Sequence, residues 1–134
     1  MPTERSRLVK KLDKIFSQYI RTRFVDDRGF GECFTCGVTK HWKEVDAGHF
    51  QSRGKYATRW NELNVQFQCK RCNGFRGGEQ YIFAKNLDIK YGDGTADNIL
   101  IESNQSARYG VSDLRDMIST YTNKFEDIRR EKGI

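Results

Sequence analysis

Proline occurs once, at Pro2, so no proline breaks a helix or stiffens a linker along the rest of the chain. No Gly/Ser-rich stretch, internal repeat or low-complexity run divides the 134 residues, which excludes a string of modules and leaves one domain-sized unit. No run of about 20 apolar residues is present, and mean hydropathy is −0.80. A soluble protein with no membrane partner is expected. A basic start followed by an apolar run, the pattern that directs secretion, is also missing, so the thiols are expected to be reduced in a cytoplasmic setting. Histidine is scarce: His41 and His49 are the only candidates for imidazole chemistry.

The four cysteines fall in two pairs of identical spacing, Cys33-x-x-Cys36 and Cys69-x-x-Cys72. A two-residue gap lets one tight turn aim two sulfurs at one ion, and four thiolates are the full ligand set of a closed tetrahedral zinc site. Two disulfides would also use four cysteines, but they suit a secreted chain, and a redox role for one pair lacks the βαβ setting it needs. Structural zinc is the preferred reading. Such a site has no open position for water or substrate, so zinc would hold the fold and not perform chemistry.

Lys and Arg exceed Asp and Glu, 24 to 18, giving a formal charge of +6. The excess is concentrated between Gln51 and Arg76, where Arg53, Lys55, Arg59, Lys70, Arg71 and Arg76 face the single acid Glu62. Phe50, Tyr56, Trp60, Phe67 and Phe75 are interleaved with these bases. That mixture suits a phosphate-contacting surface with some stacking side chains. For the aromatics, a place in the core of a small domain is the simpler expectation.

Leu8, Leu12, Ile15, Phe16, Tyr19, Ile20 and Phe24 recur at three- and four-residue steps and predict an amphipathic helix over residues 5–24. Gly29, Gly31 and Gly37 punctuate a stretch in which the first thiol pair sits in a hairpin of short strands. Residues 64–68 predict a short segment leading to the second pair, with Asn73 opening a helical region that Gly74, Gly77 and Gly78 delay or bend. Tyr81, Ile82, Phe83, Leu87 and Ile89 predict a helix ending before Gly92-Asp93-Gly94, and a short helix is expected over 95–102. Ser112 is placed as the cap of a last helix whose stripe runs through Leu114, Met117, Ile118, Tyr121, Phe125 and Ile128. Such a stripe is more often core than a partner surface, but a long helix at the end of a small domain also suits a homodimer element, and the sequence does not choose between them. The expected class is therefore α+β: an N-terminal helical arm (1–28), a zinc-stapled core (29–92) and a C-terminal helical region (93–134).

Cys33-x-x-Cys36-Gly37, Val45-Asp46-Ala47-Gly48-His49-Phe50, Asn64-Val65-Gln66 and Cys69-x-x-Cys72-Asn73 together resemble the zinc-containing HNH (ββα-metal) endonucleases. With the glycine-rich stretch, Tyr81 and a basic helical tail, the pattern is more similar to the phage recombination family NinG/Rap, with the match spanning roughly residues 32–91. The resemblance implies a structure-specific endonuclease acting on branched DNA such as Holliday junctions or D-loops, in the host cytoplasm if phage-encoded. Phosphodiester hydrolysis needs a base, a divalent cation and ligands that leave the cation open to phosphate. His49, whose ordinary pKa of about 6.5 leaves it neutral at pH 7, is the expected base. Asp46 and Asn73 offer oxygen donors suited to Mg²⁺ or Mn²⁺, and the resemblance makes them the catalytic-ion ligands. Asn64 matches the central Asn of the family pattern and takes an orienting role. Arg53, Arg59, Lys70, Arg71 and Arg76 are assigned as a group to phosphate contacts.

Ala47 and Gly48 separate the acid from the histidine, where many HNH sequences place them side by side. Residues three apart on a regular strand face opposite ways, so bringing His49 back beside Asp46 calls for a bulge or turn, which Gly48 could allow. The plainer alternative has His49 bonded within the zinc domain and Asp46 capping a turn. His41 is expected at the surface, and Glu79 reads as an exposed helix-start glutamate or a second acid near the ion. Without catalysis, the same cysteines and bases describe a zinc-knuckle DNA-binding accessory module, or an adaptor using the terminal stripes as partner faces.

Overall fold

The computed structural model describes all 134 residues. Thr3 opens the first helix by accepting the Ser6 amide on its hydroxyl oxygen at 3.0 Å, and Glu4 lies in the first turn where the helix dipole favours an acid. Helix α1 (Glu4–Thr22) buries Val9, Leu12, Phe16 and Ile20. Its partner is α5 (Val111–Lys132), which buries Leu114, Ile118, Tyr121 and Phe125. Phe16 and Tyr121 meet edge to face, with ring centres 4.8 Å apart. The α5 stripe is thus covered within the same chain. Phe24, expected in the stripe, lies beyond the helix and is 57% exposed.

Two small antiparallel sheets complete an α+β fold. Strands β1 (Phe30–Glu32) and β2 (Thr39–His41) form the first hairpin, with Gly37 at positive φ in its turn. A single 3-10 turn, Trp42–Glu44, leads into β3 (Val45–His49), which pairs with β4 (Val65–Cys69). Between them lies one helical turn, α2 (Tyr56–Arg59). After β4 the chain makes a π-helical turn over Arg71–Phe75, then α3 (Gln80–Tyr91) and α4 (Thr95–Ser103). α1 packs on α5, β3 and β4 and so forms a wall of the core. Trp60 and Val65 join this core, Phe67 packs with Val25, Trp42, Val45 and Phe125, and Phe83, Leu87, Ala96 and Ile99 form a satellite under α3 and α4. No helix is long and apolar enough to cross a membrane.

Three local expectations are corrected. Ser112 is not the cap of α5: the helix starts from Gly110, whose amide donates to the Asp113 carboxylate at 2.9 Å. His41 is half-buried, its ring edge-on to Phe30 and accepting the Lys43 amide on Nδ1. The β3–β4 ladder runs one-to-one from Val45↔Cys69 to His49↔Val65, so Gly48 makes no bulge. Its lack of a side chain has another cause: a Cβ at Gly48 would stand 2.0 Å from the Gln68 Oε1 atom. Gln68 is fully buried and donates from Nε2 to Thr35 and to the Gly78 carbonyl.

Gly48→Ala should therefore destabilise by about 1–3 kcal/mol, as overpacking of a closed site does. In urea unfolding, pairing it with Gln68→Ala should give a loss smaller than the sum of the two single losses.

Candidate metal centre and catalytic cavity

The two thiol pairs converge because each sits at the end of a paired strand. Cys33 follows β1, Cys69 ends β4, and the Phe34 amide donating to the Phe67 carbonyl at 2.8 Å docks the first turn on the second strand. All four sulfurs lie within 4.8 Å of one another, and no disulfide joins them. Sulfurs about 2.3 Å from a tetrahedral zinc stand about 3.8 Å apart. Cys36 and Cys69 show that spacing, 3.8 Å. The donor set therefore fits zinc. Burial raises the Cys33 thiol, but the Thr35 hydroxyl and the Cys36, Cys69 and Thr35 amides outweigh it and hold Cys33 down at about 6. Burial, with its thiol neighbours, pushes Cys72 up to about 12. Four adjacent thiols cannot all ionise without a cation among them, which is the demand that a divalent ion meets.

Opposed residues of an antiparallel pair share a face, so Val45, Ala47 and His49 look one way while Asp46 and Gly48 look the other. Asp46 and His49 nevertheless line the same cavity of about 650 Å³, which lies at the unpaired edge of β3. Asn73, in the π-helical turn, completes it by donating from its amide to Asp46 Oδ2 at 3.0 Å. Lys70 donates to Asp46 Oδ1 at 2.8 Å and is itself 67% exposed. Burial raises the Asp46 carboxyl, but the hydrogen bonds from Lys70 and Asn73 and the charges of Lys70 and Arg21 bring it below the usual carboxylate range. It is an anion at neutral pH.

His49 faces Arg59, whose carbonyl lies 3.0 Å from the ring Nε2. A carbonyl can only accept, so the pairing assigns the proton to Nε2 and leaves the Nδ1 lone pair as the basic one. Burial lowers the His49 pKa, against the pull of the Arg59 and Ala47 carbonyls. Asn64 stands behind it, fully buried, accepting the Gln51 amide at 2.7 Å and donating to the Gln51 and Thr58 carbonyls at 3.0 Å. It ties the two sides of the loop that follows His49.

The assigned bases are not equivalent. Arg53 borders the cavity at 63% exposure, and Lys70, Arg71 and Arg76 are exposed. Arg59 is instead an internal strut: it donates to both Asp13 oxygens, at 3.1 and 2.6 Å, and to the Arg53 carbonyl, with its side chain 14% exposed. Glu79 lies at positive φ ahead of α3, 3.7 Å from Arg76, and does not line the cavity. The cavity wall includes Asp13, Ser17, Arg21 and Lys43, which sequence reasoning did not single out. Asp13, Ser17 and Arg21 recur every four residues on α1, a polar stripe readable beside the apolar one. Arg21 is fixed there by donating to Ser17 Oγ and the Trp42 carbonyl, each at 3.0 Å.

The purified chain should hold one zinc, and Cys69→Ser should lose it. Because the metal closes segments over thirty residues apart, loss of about 3 kcal/mol or more is expected, lowering Tm by roughly 10 °C. Metal analysis alongside thermal unfolding checks both.

A family described as Bacteriophage Lambda NinG protein matches residues 3–131. Among curated relatives, Protein ninG of Escherichia phage lambda is 28% identical over 133 residues, covering 96% of this chain and 61% of that protein. Protein ninG of Escherichia phage 933W and of Enterobacteria phage VT2-Sa are each 29% identical, covering 96% of this chain and 62% of theirs. The chain thus spans about six tenths of the length of these relatives. No solved structure matches it. With 129 consecutive positions matched, residues 3–131 inclusive, the chain belongs to the NinG family of bacteriophage proteins.

Proposed function

We propose that this chain is a metal-dependent DNA endonuclease of the HNH type, acting in the host cytoplasm on branched DNA such as Holliday junctions or D-loops. One observation carries the reading: Asp46, His49 and Asn73 line one cavity, with the Asp46 carboxylate bonded to the Asn73 amide. The order of elements supports it, since acid and histidine lie on β3, Asn64 precedes β4, and Asn73 follows β4 in a helical turn.

The Asp46 oxygens and the Asn73 side-chain oxygen, once that amide turns, suit a hard divalent cation such as Mg²⁺ or Mn²⁺. When bound, such an ion stabilises charge on the phosphate and on the departing 3′ oxygen. Lys70 is exposed and can swing away from Asp46 to follow DNA. His49 Nδ1 takes a proton from water as the water oxygen bonds to phosphorus and the bond to the 3′ oxygen breaks. The Nε2–H bond to Arg59 then stabilises the resulting imidazolium. Arg21, Lys43, Arg53 and Lys70 supply cations around the phosphate, and Arg71 and Arg76 extend that surface. A two-fold dimer would set two such cavities on opposing strands of a junction.

A non-catalytic zinc-knuckle DNA-binding accessory is the second reading. It is favoured by the Asp46 carboxylate, whose two oxygens are already satisfied by Lys70 and Asn73.

Cutting of branched and linear duplexes with Mg²⁺, with Mn²⁺ and with neither decides between them. His49→Ala should lose about 10²–10⁴-fold in rate while keeping zinc, fold and DNA binding. Asp46→Ala should lose cutting that excess Mn²⁺ partly restores, which it should not do for His49→Ala. Wild-type cutting by His49→Ala, with contaminating nuclease excluded, would leave the accessory reading. The wild-type rate should rise with pH as His49 loses its proton, and burial places that acid limb below its ordinary value of about 6.5. A rate profile from pH 5 to 8 checks the position.

A further inference from the structure

Four of the five aromatics interleaved with the bases have packing partners. Phe50 stacks on Phe83 at 5.6 Å, Tyr56 meets Trp60 edge-on at 5.9 Å, and Phe67 is buried. Phe75 does not share this fate, because the residue is 92% exposed. Phe24 is exposed too, but the Lys90 ammonium and Arg23 guanidinium lie 3.8 and 4.7 Å from its ring centre.

A ring that removes almost none of its surface from water contributes little to folding. Phe75 ends the π-helical turn, which is closed by the Arg76 amide donating to the Arg71 carbonyl at 2.9 Å. Such turns are rare and recur at functional sites. Exposed Lys70 and Arg71 precede the ring, Arg76 follows it, and a Cβ at Gly74 or Gly77 would meet nothing within 4 Å. The ring therefore stands in open space, flanked along the chain by Arg71 and by Lys70 and Arg76, which pair with Asp46 and Glu79. Asn73 is two residues earlier and lines the cavity, and with about 3.8 Å between consecutive Cα atoms the ring's backbone lies within about 7.6 Å of it.

We propose that Phe75 stacks on an unpaired DNA base beside the phosphate held in the cavity, so that the chain selects DNA with an open base step there over continuous duplex. The inference rests on the DNA reading given above and adds the feature by which a branch is recognised. In continuous duplex each base face is covered by its neighbours. At a branch, flap or bubble a face is open, and cations on the backbone with a ring on the base form the two-part recognition used for single strands. The selection is for an open face and not for a sequence.

The test is binding without added Mg²⁺ or Mn²⁺, using a flap DNA and a linear duplex of equal length, with 2-aminopurine at the flap junction. The wild type should prefer the flap and lower the 2-aminopurine fluorescence on binding. Phe75→Ala should lose about 5–150-fold of affinity for the flap, the worth of one stacked base, and should lose the fluorescence change while binding linear duplex as before. Phe75→Trp should retain both. A wild-type flap-to-duplex ratio in Phe75→Ala, or no preference in the wild type, overturns the inference. Absence of any DNA binding removes it together with the DNA reading. Flap preference and fluorescence change in a protein that never cuts leave it standing and remove only the catalytic assignment.

Discussion

Four sulfurs gathered within 4.8 Å of one another are the constraint on which the site depends. They join a turn after β1 to a turn after β4, and the second turn carries Lys70 on one side of Cys72 and Asn73 on the other. Neither residue has much apolar surface to anchor it. Their positions beside Asp46 follow from the neighbouring cysteines and from the β3–β4 register that sets Val45 against Cys69. Without a cation the crowded thiols oppose full ionisation. With one, the same crowding becomes closure, in a chain whose core is divided into several small clusters.

A second support runs from the other side. Asp13 on α1 grips Arg59 through both carboxylate oxygens and takes the Trp60 indole N–H at 3.0 Å. That pins the short helix whose Arg59 carbonyl meets His49. Paired charges largely removed from water add little net stability, yet breaking one partner leaves the other with its desolvation cost uncompensated. The arrangement therefore serves orientation more than cohesion. Glu62 plays a similar part farther along the α1–α5 seam, accepting from Tyr19, Tyr121 and Lys124.

Features with strong periodicity or chemical necessity were legible in the sequence. The α1 and α5 stripes, the convergence of the cysteines and the helices on either side of Gly92-Asp93-Gly94 all follow from spacing and turn chemistry. What depended on a distant partner was not. Gly48 suggested a bulge because local rules cannot foresee the Gln68 side chain crossing beneath it. Arg59 looked like its basic neighbours because the acid that claims it lies 46 residues away. Asp13, Ser17 and Arg21 belong to the cavity only because α1 packs against β3, which no local pattern states. The placement of Asp46 and His49 around a free strand edge likewise required the pairing order.

The pairing of α1 with α5 gives the core an unusually long reach along the chain. Phe16 packs against Tyr121, and Lys132 donates to the carbonyls of Thr22 and Arg23 at the end of α1. During synthesis α1 emerges well before α5, and residues 23–110 must follow it before its apolar face is covered. Contacts so far apart slow folding, and an exposed stripe invites association meanwhile. The knuckles and the β3–β4 ribbon are complete well before that. A nascent chain can therefore bring its four thiols together early while one wall of the cavity, and with it Asp13 and Arg21, is still unsupported by α5.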